Sequence, residues 1–282
     1  MSVEEINQII DSIENISEND ENAYEKIIFQ LLKIKRFPVL IYELPHGHFL
    51  FRSRTHDNED FFTSINDISI TPNNLIHSFG RCNRPHQSKF YVSENRPTSF
   101  MELAEYWAVN KNVGDKINVT IGRWQILKPL NCIIITTPDL EERISAYDID
   151  NGEILDSFIE KSDEDIREAT KQVYRYFFEK FRKSSKNDLK NYLVTAAITN
   201  VCLTVANDNA DCIQYPSVPF GGEGDNFAIN RDFITDENIK LIGAIMNELT
   251  IVSENENGTF NFEQTKNIST DNIDYNNRTI IW

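Results

Sequence analysis

The chain has 282 residues, 40% of them hydrophobic, enough to bury one sizeable core as an elaborated single domain or as two small domains. Its formal charge of −16 argues against general nucleic-acid binding, because little would offset repulsion from phosphates. No apolar run approaches the ~20 residues needed to span a bilayer. The N-terminus is acidic and amphipathic rather than a signal peptide, so the expected setting is cytoplasmic, with no membrane partner. Cys82, Cys132, Cys202 and Cys212 show no paired short spacing and read as buried free thiols of a reducing compartment.

In chain order, residues 2–16 place Val3, Ile6, Ile9, Ile10, Ile13 and Ile16 at helical spacing. Residues 23–36 predict a second amphipathic helix ended by Pro38. The pair fits a packing extension or a partner-binding arm, with covering of a sheet edge the preferred reading. Val39–Glu43 and Phe49–Arg54 read as strands, the second alternating so that Arg52 and Arg54 share a face. Residues 57–60 read as a loop. After the stretch from Gly80 to Glu102, a helix is expected over Glu102–Val109, through Leu103, Tyr106 and Trp107. Strands are expected over Ile117–Leu127 and Asn131–Thr136. These strands suggest a curved, largely antiparallel sheet.

Ile166–Phe181 carries a strong helical pattern with an aromatic stripe, read mainly as packing against the sheet, and Tyr192–Ala206 reads as a buried helix. Asp211–Val218 reads as a strand into a turn. Residues 221–225 form a glycine-rich loop without Lys, which excludes a phosphate-cradling P-loop. Phe227–Asn230 predicts a short strand and Glu237–Leu249 a further helix; Thr279–Trp282 fits an edge strand. Asn118-Val119-Thr120 and Asn257-Gly258-Thr259 match the glycosylation pattern but are coincidental without export.

The stretch Gly80–Glu102 (GRCNRPHQSKFYVSENRPTSFME) organises the rest. It reads as a polar turn, a strand over Lys89–Ser93 centred on Tyr91, a chain break at Pro97, and a capping box from Ser99 to Glu102 that opens a helix. Adjacent elements thereby bring a guanidinium (Arg81), a phenol (Tyr91) and a carboxylate (Glu102) toward one rim of a sheet. Arg81, Arg84 and Lys89 form a local basic patch in an acidic protein, which suits a small anionic ligand better than a polymer.

The run Gly-Arg-x-Asn at 80–83, with Tyr91 ten residues after Arg81 and Glu102 eleven after Tyr91, resembles the RES domain family. Phe51-Arg52-Ser53-Arg54 looks like that family's arginine-bearing strand. Asp211–Ser217 followed by Asn226–Ile229 looks like its closing serine segment and last strand. The resemblance covers about 45–138 and 190–232. It implies an α+β fold like the ADP-ribosyltransferases: curved, largely antiparallel sheets with flanking helices. The expected organisation is a helical extension (1–38), a RES-like catalytic domain (39–138 and 190–232), a helical insertion (139–189) and a C-terminal extension packed on the domain (233–282).

The resemblance further implies a toxin-like enzyme that degrades NAD+ by cleaving the nicotinamide–ribose bond, with water or phosphate as acceptor. The alternatives are mono-ADP-ribosylation of a protein and a non-catalytic binding protein that keeps the fold. NAD+ is substrate, with no further cofactor or metal. An antitoxin or other inhibitory protein, and a second copy of the chain, are the partners it brings to mind, although the added helices and tail depart from the compact family pattern.

The residue types suit that chemistry. Cleavage builds positive charge on the ribose, which a fixed carboxylate, Glu102, would stabilise. A guanidinium forks onto a pyrophosphate; Arg52 or Arg54, and Arg81, are the candidates. Tyr91 would stack on nicotinamide with its hydroxyl to spare. Asn83 and Ser217 complete the NAD-binding set. Each has a plainer reading: Glu102 as the end of a capping box, Arg81 as a surface ion pair, Tyr91 as core, Ser217 as a turn residue. Cys82 and His86 suggest a thiol–imidazole pair only by proximity. There is no zinc-ligand spacing and no dinucleotide-fold fingerprint.

Overall fold

A computed structural model describes residues 1–56, 61–107, 111–183, 188–206, 209–219, 224–255 and 260–282, without the side chains of Glu105 and Tyr106. The expected loop at 57–60, the side chain of Tyr106, Val109, the glycines at 221 and 222, and the Asn257 pattern lie outside it.

The chain opens with two helices, α1 (Val3–Glu14) and α2 (Ala23–Leu31). Ser2 caps α1 in a reciprocal box with Glu5, and Ile6, Ile9 and Ile13 bury one stripe. Helix α2 stops at Leu31, well before Pro38, so the proline does not end it. The chain then forms β1 (Ile41–Leu44), β2 (Phe49–His56), the short α3 (Ile65–Ile68), β3 (Lys89–Ser93), α4 (Arg96–Trp107), β4 (Lys116–Ile126) and β5 (Leu130–Ile134). Helices α5 (Ala146–Lys161), α6 (Arg167–Arg182) and α7 (Leu189–Val205) follow. Strands β6 (Cys212–Pro216), β7 (Asp225–Asn230), β8 (Ile239–Glu254), β9 (Phe260–Thr270), β10 (Ile273–Asp274) and β11 (Thr279–Ile280) complete the described chain.

Among the described residues, nine strands join in one sheet, ordered β1-β5-β6-β7-β3-β2-β4-β8-β9. The β5–β6 pair is parallel and the other pairs are antiparallel. The fold is thus α+β, with a large, mostly antiparallel sheet and flanking helices. Along the central strands, successive residues alternate between two cores. On one face Ile133, Ile213 and Ala228 join α1, α2, α6 and α7. On the other, Phe90, Phe227 and Ile229 pack with Leu50, Trp124 and Ile280. Helix α4 covers a separate patch of Ile117, Val119 and Ile121 through Phe100, Leu103 and Trp107.

Two expectations are corrected. Residues 237–249 are not helical: Glu237 and Asn238 lie in a turn and 239–249 in the long strand β8, which pairs with β4 on one side and β9 on the other. The N-terminal helices do not cover a sheet edge. Their buried residues share a core with Val173 and Phe177 of α6 and Ala197 and Val201 of α7, while the sheet edges are β1 and β9. Thr279–Ile280 is a short strand, as expected, paired with Ile273–Asp274 in a separate two-stranded sheet, and Thr279 also bridges to Ser64. In addition, the short apolar stretch Leu155–Ile159 belongs to a sixteen-residue helix, α5, packed on Ile134.

All four cysteines are buried and free, and β5–β6 pairing sets Cys132 beside Cys212 with sulfurs 2.9 Å apart. Among the described residues, no helix is long and apolar enough to cross a membrane.

Candidate functional site

Strand β3 lies between β7 and β2, with Tyr91 opposite Ala228 and Ser93 opposite both Asn226 and Phe51. The loop before β3 folds back on Tyr91. Gly80 bridges to Asn83, the Tyr91 hydroxyl donates to Asn83 Oδ1 at 2.7 Å, and the Cys82 N–H donates to that hydroxyl at 2.9 Å. A Cβ at Gly80 would sit 2.5 Å from Asn83 Oδ1 and 3.2 Å from the hydroxyl, so a residue without a side chain is needed for this closure. The Tyr91 hydroxyl is therefore not spare: it holds the loop.

Beyond β3, the Asn95 side chain accepts from the Thr98 N–H and Thr98 Oγ1, both at 2.9 Å, and starts α4 at Arg96. Pro97 sits in the first turn, where its missing N–H costs nothing, rather than breaking the chain. The expected Ser99–Glu102 capping box is absent because the helix begins earlier. Ser99 instead shares a hydrogen bond with Ser53 at 2.8 Å, and Glu102 sits a turn further along. There its Oε1 accepts from Ser217 Oγ at 2.8 Å and from Asn226 Nδ2 at 2.6 Å. Asn226 Oδ1 in turn accepts from Ser93 Oγ at 2.7 Å. A carboxylate on a helix is thus clamped by a residue of β7 and by the residue that follows β6.

These groups border a cavity of about 310 Å³ whose walls include Arg52, Arg81, Tyr91, Glu102, Tyr192 and Tyr215. Four of the expected residues therefore meet. Arg52 Nη1 donates to the Tyr91 carbonyl at 2.7 Å, its guanidinium lies over Phe90, and its Nε makes no hydrogen bond among the described residues. Burial, with Arg54 nearby, pushes the Arg52 guanidinium down to about 9, which leaves it charged at neutral pH. Arg54 shares the strand but not the cavity lining. Burial shifts the Arg54 guanidinium down, and Asp67 nearby partly opposes that.

Arg81 is buried, so it is not a surface ion pair. Its Nη1 donates to the carbonyls of Phe181 at 2.7 Å and Lys183 at 3.2 Å, at the C-terminal end of α6, and the guanidinium faces the Tyr215 ring. A cation there satisfies helix-end carbonyls and complements the helix dipole. Asn83 and Ser217 stand behind the lining: Asn83 orients Tyr91, and Ser217, fully buried, orients Glu102.

Sequence reading missed the role of Asn226, quoted only as part of a strand, and the contributions of Ser53, Ser93, Tyr192 and Tyr215. The repeated polar residues in otherwise apolar strands were the available signal. Next to Asn226, the Asp225 carboxyl accepts from Gln214 and is pushed up to about 7, by burial first and by Glu94 second. Cys82 and His86 do not form a catalytic pair. The thiol is fully buried and pushed up to about 11, while His86 is exposed and packs edge-on against His77. Among the described residues, no group of three or more His, Cys, Asp or Glu converges to hold a metal ion.

A scan against models of known protein families finds no match to the chain, and a search of curated proteins finds no significant relative.

Proposed function

We propose that the protein is an NAD+-degrading enzyme of RES-like, ADP-ribosyltransferase-like architecture that cleaves the nicotinamide–ribose bond. The observation that carries this reading is Glu102. Its carboxyl is fixed by Ser217 and Asn226 at the wall of a cavity that also presents Arg52, Arg81 and an aromatic ring, Tyr91.

The cavity is at the small end of ligand pockets, so it takes the nicotinamide–ribose end of the dinucleotide and leaves the adenylate outside. Tyr91 packs on the nicotinamide face. Arg52, with its unpartnered Nε, meets the pyrophosphate. The C–N bond breaks with its electron pair leaving on neutral nicotinamide, and positive charge spreads over the ribose C1 and ring oxygen. Glu102, held immobile, stabilises that charge and binds the ribose hydroxyls. Water or phosphate then attacks C1; with water, the surplus proton passes to solvent.

The test is NAD+ consumption by the purified chain, with and without phosphate, beside Glu102→Gln. Turnover that falls at least about 100-fold in the variant, at unchanged melting temperature, is expected for an interaction worth several kcal/mol in the transition state. Free ADP-ribose names water as acceptor and its phosphate names phosphate. Label retained on protein would move the reading to ADP-ribosyl transfer. No reaction of any kind with the folded protein would leave a binding protein.

A further inference from the structure

The loop between Gly80 and β3 has two sides. Gly80 and Arg81 border the cavity described above, whereas Phe79 and Arg84–Ser88 border a second, larger one of about 780 Å³. Helix α2 supplies its far wall through Tyr24, and the turn after β7 supplies Asn230 and Arg231. The basic patch noted in the sequence is therefore divided. Arg81 is committed to the end of α6, while Arg84 and Lys89 turn to the second cavity and are joined there by Arg231.

We infer that this second cavity is a binding site for a phosphate-bearing ligand of up to nucleotide size, held by Lys89, Arg84 and Arg231.

The strongest support is Lys89. It is only 5% exposed, and its ammonium donates to Asn230 Oδ1, a neutral amide. Among the described residues it forms no ion pair. A buried charge is costly unless an opposite charge compensates it. Burial accordingly pushes the ammonium down to about 8, so it still carries a proton at neutral pH. An anion seated against it would recover the lost interaction.

Arg84 and Arg231 are exposed and likewise form no ion pair among the described residues. Two exposed acids, Glu25 and Asp232, line the same groove; neither forms an ion pair with the three cations among the described residues, although Asp232 lies near enough to favour the Lys89 charge and partly oppose the effect of burial. The groove thus sets three cations against two acids in a chain of net charge −16. Guanidinium groups bind phosphate bidentately, and the ammonium adds a point charge. The apolar wall made by Tyr24 and Phe79, with ring centroids 5.2 Å apart, gives a planar base something to pack on. The volume lies in the range of small-molecule sites.

This site does not depend on the chemistry at Glu102, and the test keeps the two apart. Binding of AMP, inorganic pyrophosphate and adenosine to the full chain is measured by calorimetry at low salt. Saturable binding of AMP and pyrophosphate, much weaker binding of adenosine, and weakening as salt rises are expected. The double variant R84A/R231A changes exposed side chains and keeps the melting temperature; it should bind AMP at least about tenfold more weakly, the loss of about 1.4 kcal/mol. Glu102→Gln should bind AMP as the unsubstituted chain does. The inference is overturned if no phosphate compound binds at millimolar concentration, if adenosine binds as well as AMP, or if R84A/R231A is without effect while Glu102→Gln abolishes binding.

Discussion

Asn226 donates to Glu102 at 2.6 Å while accepting from Ser93 at 2.7 Å, so one amide on β7 links the carboxylate on α4 to the neighbouring strand β3. The position of Glu102 is thereby set by the sheet rather than by its own helix. On the proposed NAD+ reading, Asn226→Ala should lower turnover about 10–100-fold, with KM changed less than kcat, because an unrestrained carboxylate stabilises the transition state less well. Ser217→Ala removes the other donor and should have a smaller effect. Steady-state kinetics on both variants check this; an Asn226→Ala variant with full kcat would show that the clamp is not needed.

Arg81 performs a structural task whatever it does for a ligand. Arg81→Ala leaves the carbonyls of Phe181 and Lys183 without this donor at a buried site and should cost about 1–3 kcal/mol of stability. Arg81→Lys keeps the charge but reaches fewer partners and should fall between. Denaturant titration reads the difference. Unchanged stability with lost turnover would assign the guanidinium to the substrate alone.

Asp225 makes stability depend on pH in a defined window. Its folded-state value is raised to about 7 from the ordinary 3.8, so between these two values the folded protein binds more protons than the unfolded chain. Stability contributed by this group is full below about pH 4, falls as pH rises toward 7, and is absent above. Asp225→Asn should flatten that slope and stabilise the protein at pH 8, on the order of 1–3 kcal/mol. Thermal melts from pH 4 to 8 on both proteins are the check, with a parallel slope in the variant as the contrary result.

The N-terminal helices belong to the principal core. Ile13 is fully buried against it, and Ile13→Ala should cost about 2–5 kcal/mol. A chain lacking residues 1–38 should fail to give a cooperative melt. A truncated chain that melts at the same temperature would return these helices to the role of a detachable arm.

Local pattern located the elements that are decided locally. Strand β3 runs over Lys89–Ser93 as its residues suggest, and α1, α6 and α7 follow their apolar spacing closely. The failure at β8 has an identifiable cause. Arg123 pairs with Gly243 and the adjacent Trp124 with Leu241, so Ile242 is an extra, bulged residue. The bulge shifts the alternation by one position, and Ile242, Ile245, Met246 and Leu249 then fall at helix-like spacing. The helix at Ser99 was misplaced for a related reason. A capping box is visible in sequence, but Asn95 reaches the Thr98 amide first, and the two caps compete for one helix start.

At the candidate site, residue identities and spacing, together with the family resemblance, brought Arg52, Arg81, Tyr91 and Glu102 to notice, because charged and aromatic groups are legible without knowledge of their partners. What each side chain does was decided by tertiary structure. Whether Arg52 or Arg54 faces the cavity depends on how β2 sits between β3 and β4. Arg81 is occupied by a helix end a hundred residues away. Asn226 reaches Glu102 across 124 positions of chain, through a strand register that no local pattern encodes. Secondary structure follows from short-range spacing and sterics, but hydrogen bonds between distant side chains exist only after the sheet has chosen its strand order.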